Sequence, residues 1–360
     1  MRIALVTHYF PAHRGGVELV AAEIARRLAR DYGAEIEWHA SDCDVSPQVP
    51  GVRAVPGASC NLVERRLGIP YPLWSPAALW RLARAVRAAD AVHLHDCLYL
   101  PNLVACAAAR LAGRPVVVTQ HVGMIPYRSR ILRALLAAAY RLLGRTVLGS
   151  ATQVVFVSDA VRLFFQSFIT FKAPPALIAN GVDTAVFHPA ETGKARYLLF
   201  VGRFVEKKGL ALLRDLAERL PDVQWVFAGW GPLDPEAWGL PNVRVVRGLA
   251  QRELAPLYQA ADLLVLPSVG EGFPLVVQEA MACGTPALVS DETAAGAPDA
   301  HGLLMHEPLV MERWVARLQA LLAAPAELAA LRPRVAAFAR EHWSWERSAA
   351  RYASLLGLPV

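Results

Sequence analysis

Two glutamates, Glu271 and Glu279, stand in the stretch EGFPLVVQEAMACGTP, on either side of an expected helix start. Gly272 and Pro274 mark a turn after the apolar run DLLVLP, so the helix should begin near Pro274 or Leu275, and Gly284 followed by Pro286 should stop it. A helix start offers unpaired N–H groups and about half a positive charge, which favours an anion such as phosphate. Carboxylates at that place repel an anion unless they are aimed at hydroxyls. The pair therefore suits a ligand that carries both sugar hydroxyls and a diphosphate, as a sugar nucleotide does. The alternative is that both acids only stabilise the positive helix end, an effect worth about 0.3–1 kcal/mol.

A complementary set of cations favours the first reading. In VGRFVEKKGL, Arg203 closes the run YLLFVGR, and Lys207 and Lys208 follow within a few residues. Arginine gives a planar fork for phosphate oxygens and lysine a movable point charge, so together they can neutralise a diphosphate leaving group. A third stretch, PAHRGGVELV, places Gly15 and Gly16 between the first strand and the first helix, where backbone can approach a ligand and N–H groups can meet phosphate. The spacing is not GxGxxG, which argues against a dinucleotide oxidoreductase. His95 in VHLHD and His121 in TQH end two further apolar runs; each is a candidate for chemistry or for satisfying a buried carbonyl.

These residues need elements to hold them. The chain has 360 residues, 55% hydrophobic and 19% charged, enough for two domains with sizeable cores. Short apolar runs alternate with longer helical patterns: IALVTHY, AVHLHD, RPVVVTQH, TQVVFVS and ALIAN in the first half, and YLLFVGR, QWVFAG, VRVVRG, DLLVLP and PALVS in the second. That alternation predicts parallel sheets with crossover helices, hence an α/β fold of two Rossmann-like domains. The helix VELVAAEIARRLARDYG should end at Gly33, and the hinge is expected near residues 180–196. Ligands of such sheets bind beyond the carboxyl ends of the strands, so two domains facing each other would place a site in the cleft between them.

Other classes fit poorly. The five cysteines, Cys43, Cys60, Cys97, Cys106 and Cys283, are scattered and never spaced as CxxC, which suggests neither a disulfide framework nor a zinc site and points to a reducing, cytoplasmic compartment. The N-terminus reads as a first strand rather than a leader, and the most apolar run, ILRALLAAAYRLLGRTVLG, is broken by Arg133, Arg141 and Arg145, so no membrane span is expected.

Taken together, PAHRGG, VVFVSDAVR, IANGVDTAVFHP, LLFVGRFVEKKGL, VFAGWGP, ADLLVLPSVGEGFPLVVQEAMACGTPALVS and WSWERSAARYASLL resemble, in content and order, the retaining glycosyltransferases of the GT-B fold, glycosyltransferase family 4. The resemblance spans residues 3–355, and the E-x7-E motif from Glu271 to Glu279 is its most specific part. It implies an N-terminal acceptor-binding domain over 1–185, a donor-binding domain over 186–342, and a final helix, 343–360, that crosses back to the first. It implies transfer of a hexose with retention of configuration from a nucleotide-diphosphate sugar, UDP- or GDP-linked, to a glycan, glycolipid or lipid-linked acceptor, with no cofactor and no metal. Glu279 would bind the ribose hydroxyls, Glu271 a hydroxyl of the sugar, and Arg203 with Lys208 the diphosphate, which Gly16 would meet from the opposite domain. Gly272, Phe273 and Pro274 would line the pocket, Gly229 and Gly231 belong to the matching VFAGWGP, and His95 matches a histidine near the reacting sugar, with His121 a second candidate. One departure is AAGAPDAHG, where Asp299 stands in a position that relatives fill with Glu. A sugar-nucleotide epimerase or hydrolase of the same fold, or a non-catalytic sugar-nucleotide-binding partner, are the alternatives.

Charge is uneven along the chain. Residues 1–190 carry 20 Lys/Arg against 12 Asp/Glu, net +8, and residues 191–360 carry 17 against 19, net −2. On an ideal helix Arg130, Arg133, Arg141 and Arg145 fall within about 120° of arc, with Ile131, Leu132, Leu135, Leu136 and Leu142 on the other side. Arg65, Arg66, Arg81, Arg84 and Arg87 add a second basic run. Such a surface could lie on anionic lipid; otherwise its apolar face should pack on the sheet and leave the arginines solvated. Nucleic acid is not expected, because no recognition motif with interleaved aromatics accompanies the charge.

Overall fold

The computed structural model describes residues 1–13, 15–67, 69–124, 129–190, 196–270, 273–300 and 302–359. They form two compact units, Met1–Asn180 with Trp345–Val360, and Gly181–Ser344.

The first unit is built on a seven-stranded parallel sheet. Across it lie Val52–Gly57, Glu35–Ser41, Arg2–Val6, Ala91–His95, Val116–Gln120, Gln153–Phe156 and Ala176–Leu177. The three central strands are covered on both faces, which is why they read as near-continuous apolar runs. Helix Gly16–Tyr32 ends as expected, on Gly33 in a left-handed conformation with φ 63°. The last helix, Trp345–Leu356, packs in this unit: Tyr352 accepts a hydrogen bond from Thr119 at 3.2 Å, Ser348 donates to the Ala179 carbonyl, and Arg351 to that of Leu177.

The second unit repeats the plan with six parallel strands, ordered Val243–Val246, Trp225–Trp230, Leu198–Arg203, Leu263–Leu266, Ala287–Ser290 and Met305–Glu307. Counted within each sheet, the order is 3-2-1-4-5-6-7 in the first unit and 3-2-1-4-5-6 in the second, the doubly wound order whose switch point lies between strands 1 and 4. Arg2–Val6 and Ala91–His95 flank that point in the first unit, and Leu198–Arg203 and Leu263–Leu266 flank it in the second.

Three strands of these two sheets, and the short antiparallel pair Ser59–Cys60 with Leu73–Trp74, were absent from the apolar runs read in the sequence. Glu35–Ser41 alternates polar and apolar residues, Val52–Gly57 lies at a sheet edge and contains Arg53 and Pro56, and Met305–Glu307 is only three residues long. The stretch 130–150 also departs from an ideal helix: Arg130–Ala139 passes into a π-helical turn, Tyr140–Gly144, before Arg145–Ser150. Its apolar side is only partly packed away: Tyr140, Val147 and Leu148 are buried and Leu136 packs against them, whereas Ile131, Leu135 and Leu142 are exposed.

Candidate functional site

Helix Leu275–Ala282 starts after Pro274, in extended conformation with φ −68° and ψ 131°, and the chain turns away at Gly284 with φ 77°. Glu279 lies on its buried side. Tyr258, from helix Ala255–Ala260, donates to Glu279 Oε2 at 2.8 Å, and Gln251 donates to Oε1 at 2.7 Å. Burial pushes the Glu279 carboxyl above its ordinary value, and the two hydrogen bonds only oppose that rise. Among the described residues each carboxylate oxygen has one protein donor, which leaves acceptor capacity for another hydroxyl.

The cation side is assembled at the ends of adjacent strands. Arg203 closes Leu198–Arg203 and stands in register with Trp230 of the parallel neighbour; its guanidinium lies 4.9 Å from the Trp230 ring centre, a cation–π arrangement that fixes an otherwise solvent-exposed side chain. Lys208, in the short turn Glu206–Lys208, runs its aliphatic chain beside Gly202, next to Arg203. The next loop is stitched to this one, because the Val269 N–H donates to the Lys207 carbonyl at 2.9 Å. The Gly270 N–H donates to Glu292 at 2.7 Å. A side chain at Gly229 would collide with the Gly202 carbonyl, and one at Gly231 with the Phe204 backbone, so both glycines are needed for the ends of these two paired strands to lie this close. Phe273 is buried, its ring 5.1 Å from Trp343. Asp299 is exposed in the turn Pro298–Ala300. Glu271 and Gly272 lie outside the described residues.

In the first unit, Gly15 caps helix Gly16–Tyr32 in extended conformation, and a side chain there would strike the carboxylate of Glu18, whereas Gly16 faces open space. Glu18 is buried and pairs with His8 Nε2 at 2.9 Å. Burial would raise its carboxyl, but His8 and, more weakly, His13 hold it below the usual value. His95 ends strand Ala91–His95, His121 directly follows strand Val116–Gln120, and the two rings meet, His95 Nδ1 to His121 Nε2 at 2.8 Å. Asp96, in a left-handed conformation with φ 63°, accepts from the His121 N–H at 2.9 Å and from Gln120 at 3.0 Å. Burial drives His95 well below the ordinary imidazole range, with His93 and His121 adding to it, and lowers His121 likewise, so both rings are kept neutral. His95 Nε2 is buried without a hydrogen-bond partner among the described residues.

The structure thus brings Arg203, Lys208, Gly229 and Gly231 together in one unit, with Glu279 on the helix after the neighbouring strand, and His95 and His121 together in the other. The partners of Glu279 and Arg203, namely Tyr258, Gln251 and Trp230, were not singled out in the sequence. Trp230 could have been found by setting the strand ends VGR and AGW side by side; the others carry no local signal. Among the described residues no group of three or more His, Cys, Asp or Glu is arranged to hold a metal ion.

Paired doubly wound units with this strand order are the GT-B fold. The full chain superposes on sucrose-phosphate synthase from Thermosynechococcus elongatus with a TM-score of 0.78, at 20% identity and covering 99% of this chain and 98% of that one. It superposes on HepE of Anabaena in complex with UDP and glucose with a TM-score of 0.75, at 18% identity and 99% of each chain. Residues 14–186 match the family model "Glycosyltransferase Family 4" and residues 195–324 the model "Glycosyl transferases group 1". The chain belongs to the family 4 type of GT-B glycosyltransferases. The D-inositol 3-phosphate glycosyltransferase of Mycolicibacterium paratuberculosis is 32% identical over 223 residues, 54% of this chain and 50% of that protein. The chain spans about half the length of the curated relatives it matches.

Proposed function

We propose that the protein transfers a hexose, with retention at the anomeric carbon, from a nucleotide-diphosphate sugar to a glycan, glycolipid or lipid-linked acceptor. The observation that carries this reading is the pairing, around one switch point, of a buried carboxylate with spare acceptor capacity, Glu279, and an exposed arginine held over an indole, Arg203. The UDP and glucose bound by HepE support a sugar nucleotide as the ligand. On this reading Glu279 receives the ribose hydroxyls, Glu271 a hydroxyl of the sugar, and Arg203 with Lys208 the diphosphate, while Gly272, Phe273 and Pro274 line the sugar. Charge grows on the departing diphosphate as the sugar becomes oxocarbenium-like, so fixed cations there stabilise the transition state more than the ground state. Protein cations rather than a metal ion are taken to supply that charge. His95 Nε2, buried and unpartnered, is the group that a substrate hydroxyl would satisfy. Five free cysteines support a cytoplasmic setting.

The test is a set of incubations with UDP- and GDP-hexoses, with and without glycan and glycolipid acceptors, followed by NMR of the product anomer. Acceptor-dependent release of nucleoside diphosphate with retained configuration is expected. Consumption of the sugar nucleotide without any acceptor would favour an epimerase or hydrolase instead.

A further inference from the structure

Helix Asp159–Gln166, whose Asp159 pairs with Arg162, shares one face of the first unit's sheet with three further stretches of helix: Pro76–Ala88, Leu100–Leu111 and the run from Arg130 to Ser150. Their inward residues, among them Leu82, Ala105 and Leu148, share one core with Val6, Leu94 and Val118 of the strands. Their outward charge has a single sign. The first stretch presents Arg81, Arg84 and Arg87, the second Arg110, and the third Arg130, Arg133, Arg141 and Arg145, all exposed; none of the three contains an Asp or Glu. No described carboxylate forms an ion pair with any of them. Helix Gly16–Tyr32, whose buried residues lie outside that core, is balanced by contrast: Arg26 and Arg27 pair with Glu23, and Arg30 with Asp31.

The same face exposes large apolar side chains. Ile131, Leu135 and Leu142 are 74%, 61% and 69% exposed, Leu111 is 80% exposed, and Trp80 is 64% exposed with the Arg84 guanidinium 5.9 Å from its ring. A solvated face mixes both signs of charge and keeps such residues inside. A nucleic acid would account for the arginines but not for aliphatic groups turned to solvent. Cations interleaved with exposed aliphatics and a Trp are the composition of a helix that lies in a membrane interface.

We propose that this face docks on an anionic lipid bilayer, with Ile131, Leu135 and Leu142 entering the headgroup boundary and the arginines facing lipid phosphates. The proposal is independent of the donor site, which lies in the other unit. The test is flotation of the whole chain with vesicles of phosphatidylcholine alone or mixed with phosphatidylglycerol, at low and high salt. Flotation is expected only with the phosphatidylglycerol vesicles and should weaken with salt. Each of Arg133→Gln and Arg141→Gln should lower the partition coefficient about fivefold. A triple change of Ile131, Leu135 and Leu142 to Ser should lower it with every arginine in place, and thermal melts should show each variant folded. Absence of flotation, or flotation indifferent to the triple change, would overturn the proposal. So would a dimer that the triple change converts to monomer, or displacement of the vesicles by duplex DNA at equal phosphate, since either would assign the face to another occupant.

Discussion

Tyr258 donates a hydrogen bond to Glu279 at 2.8 Å from a fully buried position, so the carboxylate expected to meet the nucleotide is oriented by the core rather than by solvent. The phenol is itself pushed well above its ordinary range, first by burial and then by the Glu279 charge, and therefore stays a donor. Tyr258→Phe removes that donor and leaves the rest of the ring packing. It should cost about 1–3 kcal/mol of stability and weaken nucleoside diphosphate binding several-fold, as read by urea unfolding and calorimetry. Unchanged affinity would show that the carboxylate needs no such anchor.

The titration of Glu279 gives a signed expectation. A carboxyl whose folded pKa lies above its unfolded value contributes stability that is complete below the unfolded value and is lost as pH rises through the folded one. Starting near the ordinary 4.5 and moving upward, the wild type should therefore lose stability relative to Glu279→Gln, which has no proton to give up. Urea unfolding of the two proteins from about pH 4 to pH 8 measures the difference, and a constant gap would contradict the raised value.

Arg203 and Trp230 should act as a unit. Arg203→Ala is expected to lower kcat by about 100-fold or more, because a fixed charge at the leaving group is lost. Trp230→Ala keeps the charge and loosens its aim, so it should cost less, by an amount on the order of a cation–π contact of about 0.5–1 kcal/mol. The double variant should resemble Arg203→Ala alone; fully additive effects would show that Trp230 acts by another route.

Much of the fold was legible because parallel strands buried on both faces write continuous apolar runs, as in Val116–Gln120 and Leu263–Leu266. Edge and half-polar strands such as Val52–Gly57 and Glu35–Ser41 lack that signal, since one side meets solvent or polar neighbours. Glu279 and Arg203 stood out because helix starts and strand ends are punctuated locally by Pro and Gly. Gln251 and Tyr258 reach Glu279 across 28 and 21 residues of chain, a distance that no periodicity encodes. The basic run at 130–150 was visible as charge, but the ideal-helix projection left open where its leucines point, and only the packing of Leu136 inward and Leu135 outward decides it.

The central claim, that the second unit holds a nucleoside diphosphate through Glu279, is tested most directly by calorimetric titration with UDP, GDP and ADP, repeated on Glu279→Ala. The account predicts that one diphosphate binds the wild type and that the variant, folded by circular dichroism, loses that binding. Binding of equal strength by the variant, or of none of the three by a folded wild type, would contradict it.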